Sequence, residues 1–230
     1  MSQKTAKEQR KANAGNAQRS AALKKYGIAV VVVLAVVGLI AAIVMTRETA
    51  GSISDKTPDP TAGKADAAVV VRVYEDFQCP ACAGVQPVVE DLIKEYGDRV
   101  KFIFNDFPLP QHKNATTAAV AAQCVFDQGK YVEYAGVLFS KQAEWELLST
   151  EKAQDKLRGY AQDLGVDVNK FNECVADSAT ADRVTEDLEE GRTLGVNSTP
   201  SFFVGDKKVT ETPFSASLKN EIDAALKAAQ

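Results

Sequence analysis

The 230-residue chain is poor in histidine, methionine and tryptophan, and beyond its first 25 residues acidic side chains outnumber basic ones. It has one histidine, one tryptophan and two methionines, and it contains no glycine-rich phosphate loop and no internal repeat. Beyond residue 25 it carries 20 basic and 30 acidic side chains, a net charge of about −10. Nucleic-acid binding needs a basic surface, so the sequence argues against a nucleic-acid partner. The scarcity of histidine and methionine also disfavours a metallochaperone.

Charged side chains are absent from one long segment, residues 27–45. At about 1.5 Å per residue, a helix of this length spans the ~30 Å hydrocarbon core of a bilayer. Seven Lys or Arg residues lie in residues 1–25, and cytoplasmic flanks are rich in such residues. We therefore predict a cytoplasmic basic tail at 1–25 and a single transmembrane anchor at 26–46, with the rest of the chain extracytoplasmic. A cleaved signal peptide is the alternative, although its apolar region is usually shorter.

The remaining chain divides into a linker and a domain. Residues 47–65 are rich in Ser, Thr, Pro and Gly, which is typical of a flexible linker. Residues 66–229 predict, in order, a strand, a helix and a strand, then a helical block at about 112–194, and finally a hairpin and a helix. This α/β order resembles the thioredoxin fold (βαβ…ββα) with a helical insertion, here preceded by a single transmembrane helix.

A Cys-Pro-Ala-Cys motif, Cys79 to Cys82, stands where the first strand gives way to the first helix. Free N–H groups and the helix dipole stabilise negative charge at such an N-terminus. The first cysteine is therefore favoured as a thiolate, and the second, one turn later, can resolve a mixed disulfide. Half of a zinc site is the alternative, but no other cysteine or histidine forms a second pair with ligand spacing. We expect no metal.

Four segments carry a resemblance to a known family: YEDFQCPAC, FNDFPLPQH, AAQCVFDQGKY and GVNSTPSFFVG. Together they resemble the DsbA-type thiol–disulfide oxidoreductases, especially membrane-anchored members, over residues 66–229. The resemblance implies that Cys79 is the exposed nucleophile and Cys82 its buried partner. It also implies that Pro200 is a cis-proline and that Thr199 contacts the backbone of the substrate.

The chain departs from many of these relatives at one position. They carry a buried glutamate six residues before the first cysteine, where it assists proton transfer, whereas this chain has Val73. Glu75 lies two residues later, on the same face of a regular strand, and is the candidate for proton transfer here. The alternative is that Glu75 and Asp76 are corner residues turned to water. His112, the single histidine, is expected to have a surface or capping role.

The other two cysteines, Cys124 and Cys174, fall in the helical block, 50 positions apart. A disulfide between them would tie two helices together, and some members of the resembled family have a structural disulfide in this block. Two buried free thiols are the alternative.

The function that the resemblance implies is the donation of disulfides to secreted or surface proteins. The redox-active Cys79–Cys82 disulfide would need no other cofactor. The implied partners are reduced secreted proteins and a quinone-linked membrane thiol oxidase that restores the disulfide. A disulfide reductase or isomerase is one alternative, and a non-redox holdase or binding module on the same fold is another.

Overall fold

The computed structural model describes residues 59–210 and 214–230. In this part of the chain, five strands form one mixed sheet in the order β1-β3-β2-β4-β5. The two central strands, β2 and β3, run parallel, and every other pair is antiparallel. The strands are β1 (Thr61–Gly63), β2 (Val69–Glu75), β3 (Val100–Asp106), β4 (Ser201–Val204) and β5 (Lys207–Val209).

Helices separate these strands in the predicted order: one follows β2, a block of six follows β3, and one follows β5. They are α1 (Pro80–Tyr96), α2 (Ala115–Phe126), α3 (Tyr131–Ser140), α4 (Gln142–Trp145), α5 (Thr150–Asp163), α6 (Val168–Ala176), α7 (Ser178–Thr193) and α8 (Phe214–Ala228). The predicted fold class, a thioredoxin fold with a helical insertion, is therefore confirmed.

The sheet has helices on both faces because the side chains of β2 alternate between two apolar clusters. Val71 and Val73 belong to the larger cluster, which includes residues of α1, α8 and the helical block. Tyr74 belongs to a smaller cluster on the other face. There α7 approaches closely at Gly191, where a Cβ atom would lie only 2.7 Å from the Phe107 ring.

Two helices of the helical block begin at side chains that cap their N-termini. Ser149 and Asp167 accept hydrogen bonds from backbone N–H groups in the first turns of α5 and α6. The alanine-rich α2 buries small side chains such as Ala118 and Ala122, which lets neighbouring helices approach it. Cys124 of α2 and Cys174 of α6 are joined in a disulfide, with their Cα atoms 5.6 Å apart. The disulfide ties together two helices of the block.

The predicted linker, 47–65, extends too far toward the domain. Residues 61–63 form β1, which pairs with β3 at the edge of the sheet. Before this strand, the carboxylate Oδ2 of Asp59 lies 4.0 Å from Nη1 of the buried Arg72 guanidinium. Thr61, Ala62 and Gly63 show no alternation of apolar and polar side chains, so their pattern does not predict a strand. Gly63 permits the pairing because it adopts a positive φ of 83° and because a Cβ there would collide with the Val100 carbonyl oxygen.

The predicted basic tail (1–25), the anchor (26–46) and most of the linker lie outside the described residues. Within 59–210 and 214–230, no helix is both long and apolar enough to cross a membrane.

Candidate active site

The Cys-Pro-Ala-Cys motif begins α1 at the end of the sheet where β2 terminates. Cys79 is the N-cap residue, with extended backbone angles (φ −79°, ψ 120°), and Pro80 occupies the first turn. A proline fits there because its missing N–H would have no partner inside the helix. The Cys79 N–H donates to the Asp76 carbonyl at 2.9 Å, which fixes the corner between strand and helix.

The Cys79 sulfur faces the loop that precedes β4. Its thiol lies 3.4 Å from the Thr199 carbonyl oxygen, and the Thr199–Pro200 peptide bond is cis. Both cysteines of the motif are free thiols in this structure. Cys79 is 7% exposed and Cys82 is 2% exposed, so the nucleophile expected to be exposed is largely covered.

The two cysteines have opposite electrostatic environments. The Cys82 thiol donates to the Cys79 sulfur, and this hydrogen bond is the largest cause that lowers the pKa of Cys79 to about 5. The backbone N–H groups of the first turn of α1 lower it further, against the effect of partial desolvation. Burial raises the pKa of Cys82 far above its ordinary value, and its hydrogen bond to Cys79 raises it further. One sulfur is therefore a stable thiolate at neutral pH, while the other holds its proton.

Glu75 is buried at the end of β2, with 3% of its surface exposed. Desolvation raises the pKa of its carboxyl to about 8, although the Tyr131 hydroxyl donates to Oε1 at 3.0 Å and opposes the shift. When it is ionised, its negative charge is one of the smaller causes of the raised pKa of Cys82, after burial and the hydrogen bond to Cys79. The alternative of a solvated corner is excluded for Glu75, and Asp76 is buried as well.

Two further buried carboxyls, Asp106 and Asp187, lie behind Glu75. Asp106 stands beside Glu75 in the register of β2 and β3; its backbone N–H donates to Asp187 of α7 at 2.8 Å, and its carboxylate accepts from Gln123 at 2.6 Å. Desolvation raises the pKa of both Asp106 and Asp187. The sequence does not predict a role for these two residues, because they come from distant segments and form no motif.

Asp76 organises the loop that follows β3. Its carboxylate accepts from the N–H groups of Gln78 at 2.7 Å and Leu109 at 2.8 Å, and it lies 2.7 Å from His112 Nδ1. The single histidine is therefore partly buried against a carboxylate, and it fixes this loop beside the cysteine motif.

Gln78 and Asn114 form a second polar connection that the sequence did not predict. The Asn114 N–H donates to Gln78 Oε1 at 2.7 Å, and Gln78 Nε2 donates to the Glu146 carbonyl at 2.9 Å. Asn114 Nδ2 donates to the carbonyls of Glu146 and Leu148, both at 3.1 Å. The residue before Cys79 is thereby tied to the loop between α4 and α5.

Within residues 59–210 and 214–230, no group of three or more His, Cys, Asp or Glu side chains is arranged to hold a metal ion.

Comparison with known proteins gives a family match over most of the chain. A family model described as thioredoxin matches residues 55–224. Among solved structures, BdbD from Bacillus subtilis (oxidised) is 25% identical, with a TM-score of 0.62, over 74% of this chain and 93% of that chain. The Wolbachia pipientis protein alpha-DsbA1 is 22% identical, with a TM-score of 0.66, over 77% of this chain and 95% of that chain.

The curated relatives with similar sequences are ion antiporters rather than thiol–disulfide oxidoreductases. The Na(+)/H(+) antiporter NhaA 1 of Salinispora arenicola is 32% identical over 155 residues, which make up 67% of this chain and 22% of the antiporter. The chain thus spans about a quarter of the length of such relatives, and ion transport is an activity named for those whole proteins.

Proposed function

This chain belongs to the thioredoxin family and has the fold of the DsbA-type thiol–disulfide oxidoreductases, and we propose that it catalyses thiol–disulfide exchange by donating a Cys79–Cys82 disulfide to secreted or surface proteins. The observation that carries the proposal is the contrast between the two thiols. Cys79 has a pKa lowered to about 5, whereas burial raises that of Cys82. A stabilised thiolate favours the reduced enzyme, so the oxidised enzyme gives up its disulfide readily.

The reaction begins when a substrate thiolate attacks the Cys79 sulfur of the oxidised enzyme. The bond between Cys79 and Cys82 breaks, a mixed disulfide forms on Cys79, and Cys82 leaves with the electron pair and takes up a proton. A second substrate thiolate then attacks the substrate sulfur of the mixed disulfide and releases the Cys79 thiolate. The substrate has lost two electrons and its thiol protons, and the enzyme has gained two electrons.

Glu75 is the group that exchanges the proton of Cys82. It is buried, its charge acts on that thiol, and its pKa of about 8 is near the operating pH, where a group both accepts and donates protons efficiently. The neutral carboxyl gives a proton to Cys82 as it leaves, and the carboxylate removes that proton when the disulfide forms again. Thr199 and Pro200, beside the Cys79 sulfur, would hold the substrate backbone as an added strand.

The predicted anchor, 26–46, supports a location on the outer face of the cell membrane, with the N-terminus in the cytoplasm. The Cys124–Cys174 disulfide is consistent with such a place, since structural disulfides persist mainly outside the reducing cytoplasm. Reoxidation would require a membrane thiol oxidase linked to quinones. No cofactor other than the cysteine pair takes part in the proposed cycle.

The test is a measurement of the reduction potential of the Cys79–Cys82 pair against glutathione, together with the oxidation of a reduced, unfolded protein by the oxidised chain. An oxidase should have a potential well above the roughly −270 mV of thioredoxin, toward the roughly −120 mV of DsbA. The Cys79→Ala variant should oxidise nothing. A potential near that of thioredoxin would instead indicate a reductase, and equal effects of wild type and Cys79→Ala on substrate folding would indicate a non-redox holdase.

A further inference from the structure

The turn between β2 and α1, which leads directly to Cys79, is held by side chains of the helical block. Buried backbone groups outside helices and strands need hydrogen-bond partners from elsewhere in the fold. The Phe77 carbonyl in this turn accepts a hydrogen bond from Gln142 Nε2 at 2.8 Å. Gln142 is the first residue of α4, so the start of this short helix holds the residue two places before the nucleophile.

The other end of α4 holds the next residue, Gln78. Its Nε2 donates to the carbonyl of Glu146, which directly follows α4, at 2.9 Å. Its Oε1 accepts from the Asn114 N–H at 2.7 Å, so both polar atoms of this buried amide are used. The two glutamines, Gln142 and Gln78, therefore connect the two ends of α4 to the two residues before Cys79.

These contacts lie close to the reacting sulfur. The Cα atoms of Phe77 and Cys79 are no more than roughly 7 Å apart, because two residues separate them. The Cys79 sulfur lies 3.4 Å from the Thr199 carbonyl oxygen, and the hydrogen bonds that lower its pKa come from Cys82 and the first turn of α1. Hydrogen bonds weaken steeply when distance and angle leave their preferred ranges. A small displacement of the turn would therefore weaken the contacts that stabilise the thiolate.

We propose that Gln142 and Gln78 are positioning residues, which hold the Cys79 sulfur against Thr199 and the start of α1 through the two ends of α4. The inference rests on the proposed function, because the stability of the thiolate sets how readily the oxidised enzyme gives up its disulfide. The helical block then has a part in the redox chemistry besides covering the sheet, since it fixes the nucleophile in place.

Aromatic packing is the alternative means of locating this turn. The Phe77 ring is buried and packs against Phe139 and Tyr131 of α3, with ring centroids 5.0 and 6.4 Å away. Apolar burial is non-directional, however, and it locates the ring rather than the peptide plane. The hydrogen bond from Gln142 fixes the direction of the Phe77 carbonyl, and with it the path of the chain into Cys79. This difference favours the two glutamines as the positioning groups.

The experiment measures the thiolate absorbance of the reduced full-length chain against pH, and the reduction potential of the Cys79–Cys82 pair against glutathione. Gln142→Met and Gln78→Met keep the length of the side chain and remove its amide. The matched control is Tyr134→Phe, which removes a buried hydrogen bond of 2.9 Å to the Leu157 carbonyl in the same helical block. Thermal unfolding of each variant shows whether it is folded.

Each glutamine variant should move the Cys79 step about one pH unit higher, which is a tenfold change in the ratio of thiolate to thiol. The same tenfold change makes the reduction potential ~30 mV less oxidising. Because Gln142 is only half-buried, Gln142→Met should fold. Tyr134→Phe should lose thermal stability but keep the wild-type step and potential, since its hydrogen bond does not reach the turn.

The outcomes separate this inference from the proposed function. If both glutamine variants keep the wild-type step and potential, aromatic packing locates the sulfur and the inference is wrong, although the oxidase function stands. It is also wrong if Tyr134→Phe moves the step as far as Gln142→Met does, because the shift then reflects a general loss of stability. If the wild-type step itself lies at pH 8.5 or above, the proposed function fails, and the inference fails with it.

Discussion

The low pKa of Cys79 leads to the most quantitative prediction. The hydrogen bond from Cys82 is the largest cause of the shift, from the ordinary 9.0 to about 5. At pH 7, Cys79 should then be ~99% thiolate, against ~1% for an ordinary thiol. This lower pKa stabilises the folded reduced protein by ~3 kcal/mol at pH 7. The same free energy makes the reduction potential ~60 mV more oxidising than that of a cysteine pair with an unperturbed pKa.

The sign of the pH dependence follows from a pKa that is lower in the folded state than in the unfolded state. The stabilisation of the reduced form is complete above pH 9 and is lost as the pH falls toward 5. Urea unfolding of the reduced and oxidised forms should therefore show that reduced protein gains stability relative to oxidised protein between pH 5 and pH 9.

The direct assay is a pH titration of thiolate absorbance on the reduced protein, with Cys79→Ala as the control that should lack the step. Cys82→Ala should keep the step but move it to higher pH, because the main hydrogen-bond donor is gone. An apparent pKa of 8.5 or above for wild-type Cys79, or a step that survives in Cys79→Ala, would refute this reasoning.

Three further predictions concern residues and segments around this site. The pKa of Glu75 is raised from 4.5 to about 8. Because Glu75 ionises more readily in the unfolded state, the free energy of unfolding of the wild type should fall as the pH rises through this window. Glu75→Gln should remove that pH-dependent loss of stability and slow disulfide exchange roughly tenfold or more. Equal pH profiles and rates for the two proteins would show that Glu75 exchanges no proton. Replacing both Cys124 and Cys174 by alanine should lower the free energy of unfolding by about 4 kcal/mol for a closed loop of 50 residues, as measured by urea denaturation; a loss below 1 kcal/mol would contradict this. Protease added to intact cells should degrade everything beyond residue 46, and a mature N-terminus near residue 50 would instead identify a cleaved signal peptide.

The sequence by itself determined the order of elements and the position of the cysteine motif. Both are local properties: the apolar pattern of residues 68–74 predicts a strand, and Pro80 after Cys79 predicts a helix start. The caps at Ser149 and Asp167 are local in the same sense, since each accepts hydrogen bonds from N–H groups within three residues of itself.

Only the tertiary structure decided which polar residues meet behind and beside the motif. Whether Glu75 is buried depends on Tyr131 and on the helices packed over the end of the sheet, and no local pattern contains that information. Asp106 and Asp187 are 81 residues apart in the sequence. The Asn114 side chain donates to the Glu146 carbonyl, which lies 32 residues further along the chain. The edge strand β1 was missed because its stability comes from pairing with β3 and from the space at Gly63 rather than from its own side chains. Burial and long-range hydrogen bonds depend on every packed element at once, so the pKa values that suit the site to disulfide exchange follow from the folded structure.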